Sequence, residues 1–331
     1  MNREEVVFLT SRDVCSLLTL EDCIPAVEAA FRSYGEGKTI LPGVLSQHAH
    51  DGAFHIKAGA LSLGRHYFAA KINANFPQNP LRHNLPTIQG MVVLCDACNG
   101  MPLAIMDSGE LTAIRTAAAT AVAAKYLARH DAETATIIGC GVQGRAQLAA
   151  LVLVRRLKTV FAYDAAESQS ERFAREVSAG LGILIEPVFD LHSAVRESEI
   201  CITCTTSQNP VLSKQDVSPG TFIAAVGADN PQKQELDPEL MGAATIVVDV
   251  LDQCAVMGDL HHALAAGMLT REDVYAELGE IVAGRKPGRT SQDQITIFDS
   301  TGMALQDVAA TALVYQKAKE FGAGAWFNLA A

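Results

Sequence analysis

The sequence predicts an α/β protein in which a doubly wound parallel sheet is inserted into a second α/β domain. From Thr134 onward the chain alternates short apolar strands with amphipathic helices, which is typical of parallel sheets with right-handed crossovers. A last apolar helix, predicted over 303–321, is followed by too short a tail to pack against. We therefore assign this helix to the N-terminal part of the chain, which predicts domains at 1–118 with 305–331, and at 119–304.

The N-terminal domain is predicted to combine helices with a set of strands. Thr19 and the residues after it open an amphipathic helix that ends at Gly35. Short β-like runs follow, separated by Gly, Pro and Asn. These runs cover residues 52–61, 67–74, 90–96 and 102–107. A long Ala-rich helix then starts near Ser108 and ends near Arg129.

The inserted domain is predicted as a regular alternation of strands and helices. Its strands are expected over 134–138, 159–163, 199–203, 221–226, 245–248 and 294–298, and two of its helices over 143–153 and 168–179. Such an order requires parallel strands, because antiparallel neighbours need only short turns between them.

Charge and composition exclude several classes of partner. The net charge of −11, from 26 Lys+Arg against 37 Asp+Glu, would repel a phosphate backbone, so no nucleic acid is expected. Apolar stretches are interrupted by Lys125 and Arg129 before the roughly 20 residues that a membrane span needs. No apolar run of the secretory type follows the N-terminus. We expect a cytoplasmic protein without a membrane partner.

The eight cysteines include two C-x-x-C pairs, Cys95/Cys98 and Cys201/Cys204. Residues i and i+3 of a strand point to opposite faces, so the second pair cannot chelate one ion. Cysteine packs well as a small apolar side chain, and cytosolic disulfides are rare. We predict structural cysteines and no metal site.

The strongest local motif is the G-x-G-x-x-G run at residues 139–144, directly after a predicted strand and at the start of a helix. In this context Gly139 permits a tight turn, Gly141 lets the backbone approach a pyrophosphate, and Gly144 lets helix and strand pack closely. Asp164 ends the next strand, where a carboxylate binds ribose hydroxyls and repels a 2′-phosphate. The motif therefore predicts a Rossmann domain that binds NAD rather than NADP.

Two further strand ends carry polar residues. Thr205 and Thr206 follow one strand, and the next ends in Gly227-Ala228-Asp229. In open α/β sheets the carboxyl ends of strands face the ligand. Both segments could also be ordinary turns, since Asp and Thr are common turn and cap residues.

These residues together resemble the ornithine cyclodeaminase/mu-crystallin family over nearly the whole chain. The resemblance rests on Lys71, on FPQNP at 76–80, LPT at 85–87, LTAIRTA at 111–117, the glycine loop, GADNPQKQELD at 227–237 and IFDSTG at 297–302. It implies that the N-terminal domain binds the substrate and forms a homodimer across its sheet. It also implies a site between the domains, where nicotinamide meets a 2-imino or 2-amino acid.

Roles follow from the resemblance residue by residue. Lys71 corresponds to the lysine that binds the substrate carboxylate, and Asp229 corresponds to the catalytic acid/base. Arg115 and Thr116 correspond to residues that contact the cofactor phosphate and face the substrate. The remaining cofactor-contacting positions are Thr87, Val142, Gln143, Asp164, Thr205, Val226, Gly227, Ala228, Lys233 and Ser300, in addition to the glycines. Independently, the apolar neighbours of Lys71 argue against a solvated lysine. We expect Arg115 to begin an Ala-rich helix, where a cation opposes the dipole and favours an anion partner.

Two departures from the family bear on the substrate. Residues 41–43 replace a common Pro-Pro-Arg, so an arginine that often binds carboxylate is missing. His55 and Lys57 stand where the family usually has apolar residues, and two residues apart on a strand they share a face. They are either part of a solvated strand face or a second anion site for a dicarboxylic substrate.

The interpretation we favour is an NADH-dependent imine reductase or amino-acid dehydrogenase, with iminosuccinate reduced to L-aspartate. Alanine dehydrogenase and cyclic ketimine reductase are the nearest alternatives. Ornithine cyclodeaminase would need room for a distal amine, which Lys57 opposes. A mu-crystallin-like binding protein without activity is the alternative from another class, and the retained Lys71 and Asp229 count against it.

Overall fold

The computed structural model describes residues 5–329, without the side chains of residues 40–42. The expectations about the N-terminal segment 1–4 and about the side chains of Leu41 and Pro42 lie outside the described residues. The chain forms two compact units. The first unit ends at Arg115 and resumes at Met303, and the second unit runs from Thr116 to Gly302. The division falls inside one helix, and the domain boundaries predicted at 118/119 and 304/305 lie within a few residues of it.

The described chain contains fifteen strands and twelve α-helices. The strands are β1 (Val6–Leu9), β2 (Ile40–Ala49), β3 (Gly52–Leu63), β4 (Arg65–Asn75), β5 (Ile88–Asp96), β6 (Pro102–Asp107), β7 (Thr134–Ile138), β8 (Thr159–Tyr163), β9 (Leu184–Pro187), β10 (Ile200–Thr203), β11 (Phe222–Ala225), β12 (Thr245–Val248), β13 (Ala276–Glu277), β14 (Thr296–Asp299) and β15 (Ala325–Phe327). The helices are α1 (Ser11–Leu17), α2 (Leu20–Gly35), α3 (Asn79–Arg82), α4 (Gly109–Leu127), α5 (Val142–Leu151), α6 (Glu167–Leu181), α7 (Leu191–Arg196), α8 (Pro238–Gly242), α9 (Leu251–Cys254), α10 (Asp259–Ala265), α11 (Leu278–Val282) and α12 (Ala304–Phe321).

The first unit is built on a seven-stranded sheet in the order β15-β1-β6-β5-β4-β3-β2. Only the β1/β6 pair of this sheet is parallel. Helix α12 packs on α2 and on strands β3 and β4. The sheet accommodates it closely at Gly59, where a Cβ would lie 3.1 Å from the side chain of Leu305. The last helix thus buries its apolar stripe in the N-terminal part of the chain.

The opposite face of the same sheet carries exposed apolar side chains. Leu45, Phe54, Phe68, Ile72 and Met91 are among the large exposed hydrophobic residues. Their cross-strand pairing puts them on one face, because residues directly opposite each other in a ladder point to the same side. A contiguous apolar surface of this kind is typical of a protein contact.

The second unit is an eight-stranded sheet in the order β13-β12-β14-β11-β10-β7-β8-β9, with every neighbouring pair parallel. Strands β10, β11 and β14 are buried along their whole length, as expected when helices cover both faces. The chain runs from β7 to one side and from β10 to the other, so the strand order reverses between them. In such sheets a ligand crevice lies outside the carboxyl ends at this reversal.

The predicted α/β class with a doubly wound sheet is confirmed, and β7, β8, β12 and β6 have the predicted bounds. Strands β1, β2, β9, β13 and β15 and helices α1, α3 and α7 to α11 were not named from the sequence. Most of these are short, and a short element contains too few residues for its periodicity to show. No described helix is long and apolar enough to cross a membrane.

Candidate active site

The glycine loop joins β7 to α5 at the carboxyl edge of the parallel sheet. Gly139 has a φ of +102°, and a Cβ there would lie 2.9 Å from the carbonyl oxygen of Cys204. A Cβ on Gly144 would lie 2.1 Å from the carbonyl oxygen of Gly139, so only glycine fits. At Gly141 a Cβ would meet no atom within 4 Å, and α5 begins there without a side-chain cap. The amides of its first turn are thus suited to an anion.

Asp164 follows β8 and holds the glycine loop in place. Its Oδ2 accepts the N–H of Cys140 at 2.9 Å, and its Oδ1 accepts the N–H of Ala166 at 3.0 Å. A carboxylate has about four acceptor positions, so each oxygen keeps capacity for a further donor such as a ribose hydroxyl. The preference for NAD that Asp164 predicts stays a prediction.

Glu235 ties together the loops that follow β10 and β11. Its Oε1 accepts the N–H and the hydroxyl of Thr205 at 2.6 and 2.7 Å. Its Oε2 accepts the hydroxyl of Thr203 at 2.7 Å and the N–H of Gly227 at 2.8 Å. Burial raises the pKa of Glu235 against the lowering effect of these bonds. Thr205, predicted to contact the cofactor, therefore donates its hydroxyl proton inward and can offer a ligand only an acceptor.

Two buried carboxylates continue from Glu235 along the strand ends. Asp259 Oδ1 accepts the N–H of Glu235 at 2.7 Å, and Asp299 Oδ2 accepts the N–H of Leu260 at 2.9 Å. Burial and the Glu235 charge raise the pKa of Asp259 to about 7. Burial raises the pKa of Asp299 well above its ordinary value. These carboxyls therefore hold protons in a pH range where exposed carboxyls are ionised.

Ser300, another predicted cofactor contact, is also hydrogen-bonded to a buried carboxylate. Its hydroxyl donates to Asp249 Oδ2 at 2.9 Å, and the N–H of Gly302 donates to the same oxygen at 2.6 Å. Asp249 is fully buried at the end of β12. Although acids are numerous here, no three His, Cys, Asp or Glu side chains among the described residues are arranged to hold a metal ion.

Asp229, the predicted acid/base, lies half-exposed in the loop after β11. Lys233 Nζ donates to Asp229 Oδ1 at 2.7 Å. The loop is held further by the N–H of Asp229, which donates to the carbonyl of Gly227 at 3.1 Å. Lys233, predicted as a cofactor contact, thus also orients the Asp229 carboxylate.

In the first unit, Lys71, Arg115 and Asp307 form a buried cluster. Their exposed fractions are 3%, 4% and 1%. Lys71 Nζ donates to Asp307 Oδ1 at 2.8 Å and to Thr112 Oγ1 at 3.4 Å. Arg115 Nε lies 2.9 Å from the same Asp307 oxygen, and its Nη1 donates to Gln306 Oε1 at 2.7 Å. A single carboxylate oxygen therefore serves two cations.

The placement of Arg115 corrects one expectation. Helix α4 begins at Gly109, so Arg115 stands in its second turn and does not begin the helix. The dipole argument was wrong here, because the effect falls off within the first turn. Among the described residues, Asp307 is the buried anion that pairs with Arg115.

Burial and the Arg115 charge lower the pKa of Lys71 to about 7, with a smaller lowering by Lys57 and an opposing effect of Asp307. Burial would raise the pKa of Asp307, but the charges of Arg115 and Lys71 outweigh it and the pKa is lowered. The cluster therefore keeps its carboxylate ionised, while Lys71 exchanges its proton near neutral pH.

His55 and Lys57 lie on the face of the sheet that carries Lys71. Lys57 is the direct cross-strand partner of Lys71, and His55 is the partner of Asn73. Both side chains are half-buried, and His55 Nδ1 lies 3.0 Å from Ser46 Oγ on β2. His55 and Lys57 therefore share one face of the sheet, as predicted, and Lys71 lies on the same face.

The other predicted residues fall in two groups. Val142, Gln143, Thr206, Val226 and Ala228 lie in loops or helix starts at the carboxyl edge of the parallel sheet, whereas Thr87 and Thr116 lie before β5 and on α4. Sequence reasoning missed Asp307 and Gln306, and the buried acids Asp249 and Asp259. One signal was present for the first pair: two polar residues interrupt the apolar start of the last helix.

Comparison with known proteins identifies the family of the chain. It matches the ornithine cyclodeaminase/mu-crystallin family over residues 4–322. The chain belongs to this family. It is 39% identical over 315 residues to an alanine dehydrogenase of Archaeoglobus fulgidus, covering 95% of each chain.

Solved structures agree. An archaeal alanine dehydrogenase dimer with bound NAD superposes with a TM-score of 0.94 at 38% identity, covering 98% of this chain and 99% of that one. The iminosuccinate reductase of Paracoccus denitrificans in complex with NAD+ gives a TM-score of 0.91 at 34% identity, covering 98% of this chain and 100% of that one.

Proposed function

We propose that this protein is an NADH-dependent imine reductase that converts iminosuccinate to L-aspartate. The observation that carries the proposal is the direct pairing of Lys57 with Lys71 on one sheet face. A substrate with two carboxylates needs two groups of cations, and this face provides them.

The broader function is that of an NAD-dependent oxidoreductase acting on CH–NH2 or C=N groups, and NAD is its cofactor. The chain fits this cofactor on its own evidence: an uncapped helix start at Gly141, a loop that tolerates no side chain at Gly144, and Asp164 at the next strand end. When bound, the reduced nicotinamide supplies the hydride. The residues of the chain bind, orient and protonate the substrate.

Lys71 and Arg115 bind the carboxylate next to the imine carbon. A buried ammonium and guanidinium that share one carboxylate oxygen have an excess of positive charge, and a substrate carboxylate balances it. Binding of this carboxylate fixes the position of the neighbouring carbon, which is the main requirement for hydride transfer.

Asp229 acts as the acid/base at the nitrogen. A protonated imine accepts a hydride more readily, and a positioned carboxyl group supplies or stabilises that proton. Lys233, bonded to Asp229 Oδ1 at 2.7 Å, orients the carboxylate.

Lys57 and His55 bind the second carboxylate. Lys57 is close enough to Lys71 for its charge to contribute to lowering the pKa of Lys71. A charge-assisted hydrogen bond contributes about 1.5–3 kcal/mol. A dicarboxylate should therefore be favoured over a monocarboxylate by about 10- to 150-fold in kcat/KM.

The test is NADH oxidation by the purified protein with ammonia and one of pyruvate, glyoxylate, oxaloacetate or a cyclic imine. We expect the highest kcat/KM with oxaloacetate and ammonia. Lys57→Met should lower the oxaloacetate/pyruvate ratio of kcat/KM about tenfold or more, with little change for pyruvate.

Lys38→Met is the matched control, because Lys38 is an exposed lysine of the same unit that pairs with Glu36. It should leave the ratio unchanged. A ratio that stays constant in Lys57→Met would refute the dicarboxylate proposal and leave an alanine dehydrogenase or a cyclic ketimine reductase. Ammonia release from ornithine without net NADH change would indicate a cyclodeaminase, and NADH binding without turnover a binding protein.

The protein is further proposed to be a homodimer that buries the exposed apolar face of the first-unit sheet. Five large hydrophobic side chains share this face, and a solved relative is a dimer.

A further inference from the structure

A buried carboxylate stands between the two cations that the proposed function assigns to the substrate. Asp307 Oδ1 lies 2.8 Å from Lys71 Nζ and 2.9 Å from Arg115 Nε. We propose that Asp307 is a positioning residue that holds Lys71 and Arg115 together so that both bind one substrate carboxylate. The proposal rests on the proposed function and deepens it with a residue that the sequence motifs did not single out.

The contacts favour a cluster completed by a ligand over a closed salt bridge. Asp307 uses one oxygen for both cations, and within the described residues its buried Oδ2 has no hydrogen-bond partner. The same holds for the buried Nε2 of Gln306, although its Oε1 accepts Arg115 Nη1. Arg115 Nε, although close to Asp307, is not aligned as a hydrogen-bond donor. Buried polar atoms are normally satisfied, so we infer that ordered water or a ligand completes this cluster.

The charges around Asp307 leave an excess of cations. Lys71 on β4 and Arg115 on α4 contact it, and the charge of Lys57 on β3 acts on it as well. The charge of Arg115 also acts on Cys23 of α2, but burial raises the pKa of this thiol to about 12, which keeps it neutral. Two cations therefore contact one carboxylate, and a third acts on it through its charge. A bound carboxylate would bring the charge closer to balance, which reduces the cost of burying these groups.

Asp307 also controls whether Lys71 carries a proton. Burial and the Arg115 charge lower the pKa of Lys71 to about 7 even though Asp307 opposes them. Without the Asp307 charge this pKa falls further, and Lys71 becomes neutral at lower pH. Carboxylate binding then weakens little in acid and strongly above neutral pH. A purely steric role would weaken binding by a similar factor at every pH.

The experiment compares wild type with Asp307→Asn, using the full chain with bound NAD+ and pyruvate as the carboxylate probe. Calorimetry from about pH 5 to about pH 9 gives the dissociation constant, and carbon-13 NMR of labelled lysines gives the pKa of Lys71, assigned with Lys71→Arg. We expect the pKa of Lys71 to fall by about one unit or more, and pyruvate to bind about tenfold more weakly near pH 8 but less than about threefold near pH 5. NAD+ affinity should stay unchanged.

Thr311→Val is the matched control, because Thr311 is buried one turn further along α12 and its hydroxyl donates to the Asp307 carbonyl. It should lower thermal stability without changing the pKa of Lys71. If Asp307→Asn does not fold, Asp307→Glu replaces it. This variant keeps the charge but displaces the oxygens by one methylene, so pyruvate binding should weaken at every pH while Lys71 still titrates near the wild-type value.

An unchanged pKa of Lys71 and an unchanged pH dependence in folded Asp307→Asn would overturn the proposal. Wild-type affinity in Asp307→Glu would do the same. A failure of the proposed function is seen separately, as absence of NADH oxidation with every 2-imino acid, since neither the Lys71 titration nor pyruvate binding requires turnover.

Discussion

At the scale of single residues, charged side chains occupy two kinds of surroundings. Lys71 and Asp307 are almost completely buried. Burial lowers the pKa of Lys71, whereas the charges of Arg115 and Lys71 lower the pKa of Asp307 against the effect of burial. Asp229 is half-exposed and paired with Lys233. A buried charge is suited to binding an oppositely charged group, since the interaction is strong at low dielectric. A more accessible carboxylate is suited to exchanging protons with substrate and solvent.

Asp229→Asn should remove most turnover and leave NADH binding nearly intact. The amide cannot supply or accept the proton, and a positioned acid or base contributes about 10²–10⁴-fold to rate. Turnover assays and fluorescence titration with NADH separate the two effects.

Asp237→Asn is the control, because Asp237 belongs to the same motif but only caps α8. Its activity should remain close to that of the wild type. Near-normal kcat in Asp229→Asn would mean that Asp229 is a turn residue.

At the scale of elements, the glycines of the loop are needed for two different reasons, packing at one position and ligand binding at another. Gly144 is needed for β7 and α5 to pack, because a Cβ would press on the carbonyl of Gly139. Gly141 has open space on its Cβ side, so its side-chain-free backbone is not required by packing. The sequence motif does not distinguish these two reasons for glycine, whereas the geometry does.

We expect Gly144→Ala and Gly141→Ala to differ. Gly144→Ala should lower the melting temperature and weaken NADH binding together, because backbone atoms must move. Gly141→Ala should keep the melting temperature within a few degrees of wild type and weaken NADH binding about tenfold or more, since a methyl group stands where the backbone approaches the pyrophosphate. Calorimetry of melting and NADH titration measure both.

Gly180→Ala provides the baseline for these variants. Gly180 lies inside α6 with nothing within 4 Å of its added Cβ, so alanine should stabilise the helix by roughly 0.5–1 kcal/mol and leave NADH binding unchanged. Wild-type NADH affinity in Gly141→Ala would contradict the role assigned to that glycine.

At the scale of the whole molecule, the exposed apolar sheet face predicts a dimer. Light scattering at micromolar concentration should give twice the chain mass of 35.2 kDa. Met91→Lys puts a charge on the face and should shift the equilibrium to monomer, because burying an unpaired charge costs several kcal/mol.

Leu184→Lys is the matched control for this prediction. Leu184 is equally an exposed apolar strand residue, but it lies on β9 of the other unit. It should leave the dimer intact. A monomeric wild type, or a dimer that persists in Met91→Lys, would exclude this face as the interface.

The free energy of unfolding should depend on pH through the raised pKa values of the buried carboxyls in the second unit. Asp259 has a pKa of about 7 in the folded chain, against 3.8 for an unperturbed aspartate. A raised folded pKa means that the stabilisation is complete below about pH 4 and is lost as the pH rises toward 7. Lys71 acts in a different window: its pKa is lowered from the ordinary 10.5 to about 7, so its contribution to stability rises with pH between these two values.

Urea unfolding at several pH values between about 4 and about 7 measures this loss, which we expect on the order of 2 kcal/mol. Asp259→Asn should flatten the slope, because the amide does not titrate. Asp190→Asn, at the N-cap of α7 with a lowered pKa, should leave the slope unchanged. Equal slopes in wild type and Asp259→Asn would rule out this contribution.

The two-part α/β plan and most of the residues at the strand ends could be predicted from the sequence alone. Strand and helix periods are local, so β7, β8 and α12 could be predicted from short windows. The glycine loop and Asp164 could be predicted because their spacing along one βαβ unit sets their positions in space.

The contacts between residues far apart in the chain could not be predicted from the sequence, because they depend on the folded arrangement of the elements. Asp307 lies far from Lys71 in the chain, and it reaches Lys71 and Arg115 because α12 returns to the first sheet. The register of β3 on β4 placed Lys57 directly opposite Lys71. Burial then shifted pKa values that sequence cannot provide, since desolvation depends on all the surrounding atoms and not on neighbours in the chain.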